Sequence, residues 1–172
     1  MNDSQAAARV ELLVLDVDGV LTDGSITYSP DGTELKTFHV RDGLAISAWR
    51  ALGRRVAVIS GRSSPAVRVR AKELGIDLLH LDIADKRGAL DEILRTTGVK
   101  ADRACAVGDD LPDLPVLRAV GFPVAVADGC AEVRAAAKYV TLAAGGRGAV
   151  REVVELLLRA QSRWDEVVNR YR

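Results

Sequence analysis

The hydrophobic positions of the chain fall into short runs that alternate with longer helical patterns. The short runs, rich in Val, Leu and Ile, predict β-strands at 12–17, 55–60, 78–81, 104–108, 122–126 and 139–142. The intervening segments predict α-helices at 43–52, 65–74, 86–97, 114–120 and 130–138, and a last amphipathic helix that begins near Gly148 and continues through Trp164. Because strands and helices alternate, we expect an α/β fold with helices on both faces of a parallel sheet.

The whole pattern is consistent with one domain. A chain of 172 residues is long enough to bury a hydrophobic core of ordinary size. No internal repeat, low-complexity segment or linker divides it. We therefore expect a single domain over 1–172, with its core at about 11–158 and a C-terminal helix from about 148.

One segment interrupts the alternation directly after the first strand. The β-prone runs SITYS and ELKTFHV flank Pro30-Asp31-Gly32-Thr33, which is a strong turn signal, and together they predict a β-hairpin over 25–40. A two-stranded hairpin is only marginally stable alone, so it should pack against something. It is either a surface decoration or, given its place beside the first strand, a lid or an oligomer contact.

Composition and charge narrow the class of protein. Hydrophobic residues make up 48% and charged residues 28%, and 24 basic residues balance 24 acidic ones, so we expect neither a nucleic acid nor an anionic membrane as partner. Cys105 and Cys130 are the only cysteines, and no metal-binding cysteine spacing occurs. The first residues contain no apolar signal-peptide core, and no segment reaches the roughly 18 apolar residues of a membrane span. The expected location is the cytoplasm.

Polar residues follow the predicted strands where chemistry is expected. The first strand ends in Asp16 and Asp18, and the others are followed by Ser60-Gly61-Arg62, by Asp85-Lys86 and by Gly108-Asp109-Asp110, with Asp113 soon after. Taken singly, Ser60 is explained as a helix cap, Lys86 as a surface lysine, and the last acids as a polar loop. In open parallel sheets, however, ligands bind beyond the carboxyl ends of the strands. Their convergence on one edge therefore predicts a site.

The residue types predict phosphoryl transfer. Crowded carboxylates repel one another unless a cation lies among them, and oxygen ligands favour a hard divalent ion such as Mg²⁺. A serine and a glycine at a helix start offer a hydroxyl and backbone N–H groups to an anion, and a lysine adds positive charge. One aspartate can then act as the nucleophile, and the acid two residues later can act as general acid and base.

The motifs resemble those of the haloacid dehalogenase superfamily. DVDGVLTDG is similar to its first motif, and SGR, DK and GDDLPD follow in the order of its second, third and fourth motifs. The similarity is closest to the small capless branch typified by 3-deoxy-D-manno-octulosonate 8-phosphate phosphatase, through FHVRDGLAI, ISGRSSPAVRVRAKELGI, GDDLPDLPV and GGRGAVREV. The resemblance implies a Rossmann-like, doubly wound parallel sheet with a β-hairpin after strand 1 and no cap domain.

The resemblance also implies a role for each motif residue. Asp16 would be the nucleophile and a metal ligand, and Asp18 the general acid and base, with its backbone carbonyl on the metal. Ser60 would bind the transferring phosphoryl group, Lys86 would neutralise the nucleophile and the phosphate, and Asp109 would be the last protein ligand of Mg²⁺. Asp110 and Asp113 would support this site without touching the metal.

The implied substrate is an acidic sugar phosphate. The implied substrate-binding residues are Asp18, His39, Val40, Arg41, Asp42, Gly43, Ser60, Gly61, Arg62, Arg70 and Lys86. Arginines suit the carboxylate of such a sugar. Arg70 is otherwise a solvated helix residue, and His39 could equally be structural. Before Lys86 the chain has HLDIADK where many relatives have Gln-Gly, so the pocket is expected to differ there.

The resemblance further implies a homotetramer in which a neighbouring subunit closes the active site, consistent with the missing cap. The expected substrate is 3-deoxy-D-manno-octulosonate 8-phosphate, with an N-acylneuraminate 9-phosphate as the alternative. Arg62 favours the first, because enzymes for the nine-carbon sugars tend to carry an acid there. A non-catalytic scaffolding relative is a different class of explanation. A response-regulator receiver is disfavoured because it lacks DxDG, and a dinucleotide-binding domain because no GxGxxG follows strand one.

Overall fold

A computed structural model describes residues 3–172, which form eight α-helices and eight β-strands. In chain order the elements are α1 (Asp3–Ala8), β1 (Leu12–Leu15), β2 (Thr27–Tyr28), β3 (Glu34–Leu35), α2 (Val40–Ala51), β4 (Arg55–Ile59), α3 (Pro65–Leu74), β5 (Leu78–His80), α4 (Lys86–Thr97), β6 (Ala104–Gly108), α5 (Leu114–Leu117), β7 (Phe122–Ala125), α6 (Ala131–Ala136), β8 (Tyr139–Val140), α7 (Ala149–Ala160) and α8 (Trp164–Val168). Short 3₁₀ turns lie at Ala101–Arg103, Leu111–Asp113 and Asn169–Tyr171.

Six of the described strands form one parallel sheet in the order β5-β4-β1-β6-β7-β8. In the centre, Leu12 of β1 aligns with Arg55 of β4 on one side and with Ala104 of β6 on the other. The strand order reverses beside β1, because the chain first builds outward through β4 and β5 and then returns to β6. Such a reversal opens a crevice at the carboxyl ends of the strands. The predicted α/β class, doubly wound and without a cap domain among residues 3–172, is confirmed.

The core has two layers because successive strand residues point to opposite faces of the sheet. In β1, Leu13 and Leu15 pack with apolar residues of α1, α2, α3 and α7, whereas Leu12 and Val14 pack with those of α4, α5 and α6. All four side chains are at most 2% exposed. This two-sided burial explains why the strand sequence LLVL is continuously apolar and holds the carboxyl end of β1 in a fixed place.

The largest errors of the sequence prediction concern the two ends of the chain. Helix α1 was not predicted, and the last helix does not continue through Trp164. It ends at Ala160, because Ser162 adopts a left-handed backbone with φ of 56°, and the chain restarts as α8. The Gln161 side chain donates to the Val10 carbonyl at 2.9 Å and so ties the break to the start of the sheet.

The hairpin is present but shorter than predicted. Each of its strands has only two residues, closed by a turn in which the Ser29 N–H donates to the Thr33 carbonyl at 2.9 Å. Gly32 has φ of 83°, a conformation that favours glycine. The strand predicted over 34–40 is wrong after Leu35, since residues 36–39 form no strand and α2 begins at Val40, with His39 as its N-cap residue.

The two cysteines are free thiols. Cys105 is fully buried in β6, and its burial raises the pKa of the thiol above its usual range. Cys130 is partly buried and, like Cys105, is not in a disulfide. Among residues 3–172, no helix has both the length and the apolar character needed to cross a membrane.

Candidate active site

A cavity of about 360 Å³ opens at the carboxyl ends of β1, β4 and β6. Nine of the predicted site residues line it: Asp16, Asp18, Ser60, Gly61, Arg62, Lys86, Asp109, Asp110 and Asp113. Gly24, Ile26 and Pro112 complete the lining. The strand ends that carry the polar residues therefore meet at the edge where the sheet topology predicts a ligand.

A buried ion-paired cluster forms the floor of this cavity. Lys86 Nζ donates to Asp16 Oδ1 at 2.9 Å and to Asp113 Oδ1 at 2.7 Å, and all three side chains are at most 10% exposed. Lys86 is the first residue of α4, where the N-cap Asp85 accepts a hydrogen bond from the Gly88 N–H at 3.0 Å. This cap fixes the start of the helix and with it the direction of the lysine.

Burial and charge oppose one another in this cluster. Burial, followed by repulsion from Asp113, raises the pKa of Asp16 from 3.8 to about 6, although Lys86 acts in the opposite direction. Burial alone would lower the pKa of Lys86, but its attraction to Asp16 and Asp113 outweighs burial and raises that pKa above its ordinary value. The lysine therefore stays charged, and the carboxyl group of Asp16 exchanges its proton at a pH of about 6.

Asp109 adds a third acid beside this cluster. Carboxylate oxygens of Asp16, Asp109 and Asp113 lie within 4.8 Å of one another, and burial and these two neighbours raise the pKa of Asp109 to about 8. Asp113 is already engaged, because Oδ1 accepts from Lys86 and Oδ2 accepts from the N–H of Asp109 at 3.0 Å. Asp16 and Asp109 thus have oxygens available for a cation, whereas Asp113 positions the residues around it.

Glycines allow the backbone to approach these acids closely. Gly19 has φ of 90°, and a side chain there would collide with the Asp109 carboxylate. Gly145 and Gly146 pack against the backbone of Gly19 and Thr22, and the Gly146 N–H donates to the Val20 carbonyl at 2.9 Å. In the protomer, the glycine-rich turn before α7 therefore supports the loop that carries the first acidic motif.

Ser60 and Arg62 lie on the wall formed by the end of β4. Ser60 is 2% exposed, and its Oγ accepts a hydrogen bond from the Arg62 N–H at 3.2 Å. The Arg62 side chain is half-exposed and forms an ion pair with Glu34 of the hairpin at 2.5 Å. Ser60 therefore faces the cavity in one orientation, while Arg62 is shared between the cavity and the hairpin.

The hairpin brings two residues to the site that the motif analysis missed. Lys36, directly after β3, forms an ion pair with Asp18, and Glu34 accepts from Arg62. Leu35 between them is 53% exposed. The signal was the alternation Glu-Leu-Lys, since alternate strand residues share a face. Without the packing of the hairpin, however, the alternation does not show which face is inward.

Other predicted substrate residues lie outside the main cavity of the protomer. His39, Asp42, Gly43 and Arg70 line a separate small pocket, and Val40 and Arg41 are exposed. Asp42 is 2% exposed, and its Oδ1 accepts from the Arg151 N–H at 2.7 Å, so it caps α7 from a neighbouring helix. Arg70 lies over the Phe38 ring, with its guanidinium carbon 5.9 Å from the ring centroid.

The chain is similar in sequence to known hydrolases. The family profile of haloacid dehalogenase-like hydrolases matches residues 82–153. Over 160 residues the chain is 46% identical to the 3-deoxy-D-manno-octulosonate 8-phosphate phosphatase KdsC of Escherichia coli (strain K12). This match covers 93% of this chain and 85% of the E. coli protein. The sequence similarity thus extends over all four motifs and the hairpin.

Two solved structures are similar over nearly their whole length. The 3-deoxy-D-manno-octulosonate 8-phosphate phosphatase of Moraxella catarrhalis, in complex with a magnesium ion, a phosphate ion and a KDO molecule, has a TM-score of 0.96 and 43% identity and covers 98% of this chain and 97% of its own. The cobalt-bound deoxy-D-mannose-octulosonate 8-phosphate phosphatase of Haemophilus influenzae has a TM-score of 0.90 and 41% identity, with coverage of 93% and 94%.

Proposed function

The chain belongs to the 3-deoxy-D-manno-octulosonate 8-phosphate phosphatase family of haloacid dehalogenase-like hydrolases. On that premise we propose that it hydrolyses 3-deoxy-D-manno-octulosonate 8-phosphate to the free sugar acid and inorganic phosphate. The phosphatase class follows from family membership. The observation that carries the proposal is the buried Lys86 between Asp16 and Asp113, with Asp109 beside them at the carboxyl ends of the strands.

In the first half of the proposed reaction, Asp16 is the nucleophile. Its carboxylate oxygen forms a bond to phosphorus while the bond from phosphorus to the sugar oxygen breaks. Lys86 holds Asp16 in place and offsets the negative charge of the phosphoryl group. Ser60 accepts its own hydrogen bond from the backbone, which leaves its hydroxyl proton to donate to a phosphoryl oxygen.

Asp18 moves the protons. It donates a proton to the departing sugar oxygen, so that the product leaves as an alcohol and Asp18 becomes a carboxylate. In the second half, water attacks phosphorus and gives a proton to that carboxylate. The bond between phosphorus and Asp16 breaks, inorganic phosphate leaves, and both aspartates regain their starting forms. Asp18 lines the cavity and is partly exposed, as this role requires.

The proposed cofactor is Mg²⁺, held by the carboxylates of Asp16 and Asp109 and the backbone carbonyl of Asp18. The donor set fits, because it consists of oxygens only, and the pKa of Asp109 is raised to about 8 by burial and by neighbouring acids that a cation would neutralise. When bound, the ion supplies positive charge to the transferring phosphoryl group. The chain's own contribution is to aim Asp109, through the hydrogen bond from its N–H to Asp113.

This arrangement predicts that Mg²⁺ stabilises the protein more strongly as the pH rises. In the metal-free fold the pKa of Asp16 is about 6 and that of Asp109 about 8, both raised from 3.8, chiefly by burial. The folded state therefore keeps protons that the unfolded chain releases, and stability is lost as the pH rises from about 4 through 8. Because Mg²⁺ replaces those protons, the increase in Tm that it causes should grow between pH 6 and pH 8.

Thermal unfolding with Mg²⁺ and with a chelator, over that range, checks this prediction. Asp109→Asn is the matched variant, since it removes the most perturbed acid and should flatten the pH dependence of the Mg²⁺ effect. An increase in Tm that is the same at every pH would contradict the assignment of these acids as the metal site.

We also propose that the substrate pocket is completed in a homotetramer. Val40 and Arg41 are exposed and do not line the main cavity of their own protomer, so they would reach the substrate pocket of a neighbouring subunit, whereas Asp42 and Gly43 are buried. The hairpin presents three exposed apolar side chains that suit a contact between subunits, Ile26, Tyr28 and Leu35. Light scattering after gel filtration tests this, and a monomer at micromolar concentration would contradict it.

The substrate is tested by phosphate release from a panel with and without Mg²⁺. It contains 3-deoxy-D-manno-octulosonate 8-phosphate, N-acetylneuraminate 9-phosphate, hexose phosphates and an aryl phosphate. We expect kcat/KM for the eight-carbon acid to exceed the others by at least about tenfold. Hexose and aryl phosphates lack the carboxylate that an arginine binds, and the chain has Arg62 where enzymes for nine-carbon acids tend to carry an acid. A preference for the nine-carbon acid would keep the chemistry and change the substrate. No metal-dependent release from any ester would favour the scaffolding alternative.

A further inference from the structure

The inward face of the hairpin carries a buried cation that contacts Asp18. Lys36 forms an ion pair with Asp18 through Oδ1, and the lysine side chain is only 1% exposed. Exposed ion pairs contribute little, but a buried ammonium needs a partner and is held in one geometry. Since Asp18 is 22% exposed at the cavity, the pair joins a buried anchor to a side chain that water can reach.

Glu34 holds Lys36 from the other side. Its Oε1 lies 3.6 Å from Lys36 Nζ, and the same oxygen accepts from Arg62 at 2.5 Å. Charges of alternating sign therefore run from Asp18 through Lys36 and Glu34 to Arg62. Because Glu34 is 11% exposed, both partners of the lysine are partly protected from solvent. This network joins the hairpin to two walls of the cavity.

We propose that Lys36 is a positioning residue for Asp18 in the second half of the reaction. The inference rests on the proposed function, because it takes Asp18 as the group that accepts the proton of the water attacking phosphorylated Asp16. An ammonium pairs with the carboxylate form of Asp18, which is the form left after the sugar oxygen has been protonated. With Oδ1 anchored on Lys36, the other oxygen of Asp18 is left to receive the proton of the water.

The size of the effect follows from geometry. Without an anchor, the Asp18 side chain would sample several rotamers, of which only some aim an oxygen at the water. A displacement of about 1 Å in a catalytic group costs on the order of 100-fold in rate. Loss of the anchor should not slow the first half of the reaction when the leaving group is a weakly basic nitrophenolate, because nitrophenolate departs without a proton.

The test is the steady-state kinetics of Lys36→Met with p-nitrophenyl phosphate and Mg²⁺. Methionine keeps the unbranched length of the lysine side chain but removes its charge. We expect kcat to fall at least about tenfold and KM to fall in the same proportion, so that kcat/KM stays within about threefold of the wild type. The value of kcat/KM is preserved because it covers only the steps up to nitrophenolate departure. Since hydrolysis then limits kcat, the enzyme should accumulate with a phosphoryl group on Asp16, detectable by intact mass.

Three further variants control this experiment. Lys36→Arg keeps a cation at the site and should restore part of the lost kcat. Lys72→Met makes the same substitution at an exposed position of α3 and should behave as the wild type. Asp18→Asn removes the positioned group itself and should also accumulate the phosphorylated form.

Each outcome decides between roles. If kcat/KM falls as far as kcat and no phosphorylated enzyme accumulates, Lys36 only holds the hairpin in place and the inference is overturned. Unchanged kinetics would overturn it as well. A wild-type enzyme that releases phosphate without ever carrying a phosphoryl group on Asp16 would instead refute the proposed mechanism, and the positioning role with it.

Discussion

Replacing Asp16 by asparagine should reduce kcat/KM for phosphate release by at least about 10⁴-fold, since an amide oxygen cannot replace the attacking carboxylate. The amide keeps the shape of the side chain and can still contact Lys86. Activity would therefore disappear through the loss of the nucleophile rather than through a change in packing. The measurement is phosphate release at saturating Mg²⁺, together with phosphoryl labelling of the enzyme, which should vanish.

The fold should tolerate this substitution. Burial and repulsion from Asp113 already raise the pKa of Asp16 to about 6, so its negative charge is costly in the fold. A neutral side chain removes that cost, while Lys86 keeps its contact with Asp113 at 2.7 Å. We expect the free energy of unfolding to change by only about 1 kcal/mol. Asp77→Asn, at an exposed position, is the control, and wild-type turnover in Asp16→Asn would refute the nucleophile assignment.

Local sequence signals were sufficient for several elements of the fold. The bounds predicted for α3 and α4 agree with the structure. In α3, Pro65 occupies the first turn and Gly75 adopts a left-handed backbone with φ of 64° at the end, and Gly98 ends α4 in the same way. Proline and glycine act here through their own backbone preferences, so the sequence alone shows where the helices begin and end.

Elements that depend on tertiary contacts could not be predicted in the same way. The hairpin strands have only two residues each, although the β-prone runs are longer, and the hairpin is held through the ion pairs of Lys36 with Asp18 and of Glu34 with Arg62. At the C-terminus, α8 packs against α7, and the Arg151 guanidinium carbon lies 4.8 Å from the centre of the Trp164 ring. Neither arrangement has a local signal, since each is stabilised by residues distant in the sequence.

The candidate site shows the same division. The strand-end acids were identified because topology brings strand ends together, whatever the side chains do. The pairing of Lys36 with Asp18 joins residues 18 positions apart across the hairpin, and its existence depends on which face packs inward. Asp42 was expected in the substrate pocket from a motif, yet its Oδ1 accepts from the N–H of Arg151. A motif identifies residues, but only packing shows which neighbour each one meets.

Lys86→Met should be the most destabilising change in the site. Lys86 is 7% exposed and is the cation that separates Asp16 from Asp113, at 2.9 and 2.7 Å. Removing one partner of a buried ion pair costs about 3–5 kcal/mol, because the remaining charges are left without compensation. Turnover should fall on the order of 10²- to 10³-fold as well, since the transferring phosphoryl group loses a fixed positive charge.

The loss of stability should depend on pH in a direction that the cluster dictates. Without the ammonium, Asp16 and Asp113 repel each other, and the carboxyl whose pKa is already about 6 with the lysine present will hold its proton still more strongly. Destabilisation should therefore be largest at alkaline pH and should shrink as the pH falls toward 6, because Asp16 of the variant takes up its proton above pH 6 and then no longer repels its neighbour. Denaturant unfolding at several pH values in the presence of a chelator measures this.

A second substitution separates stability from catalysis. In the double variant Lys86→Met with Asp113→Asn, the repulsion between Asp16 and residue 113 is gone. Much of the lost stability should therefore return. Turnover should not return, because the charge that opposed the phosphoryl group is still missing. If the double variant regained activity together with stability, Lys86 would act by holding the fold alone. If it regained neither, the cost would lie in packing around the lysine stem and not in the two carboxylates that its ammonium joins.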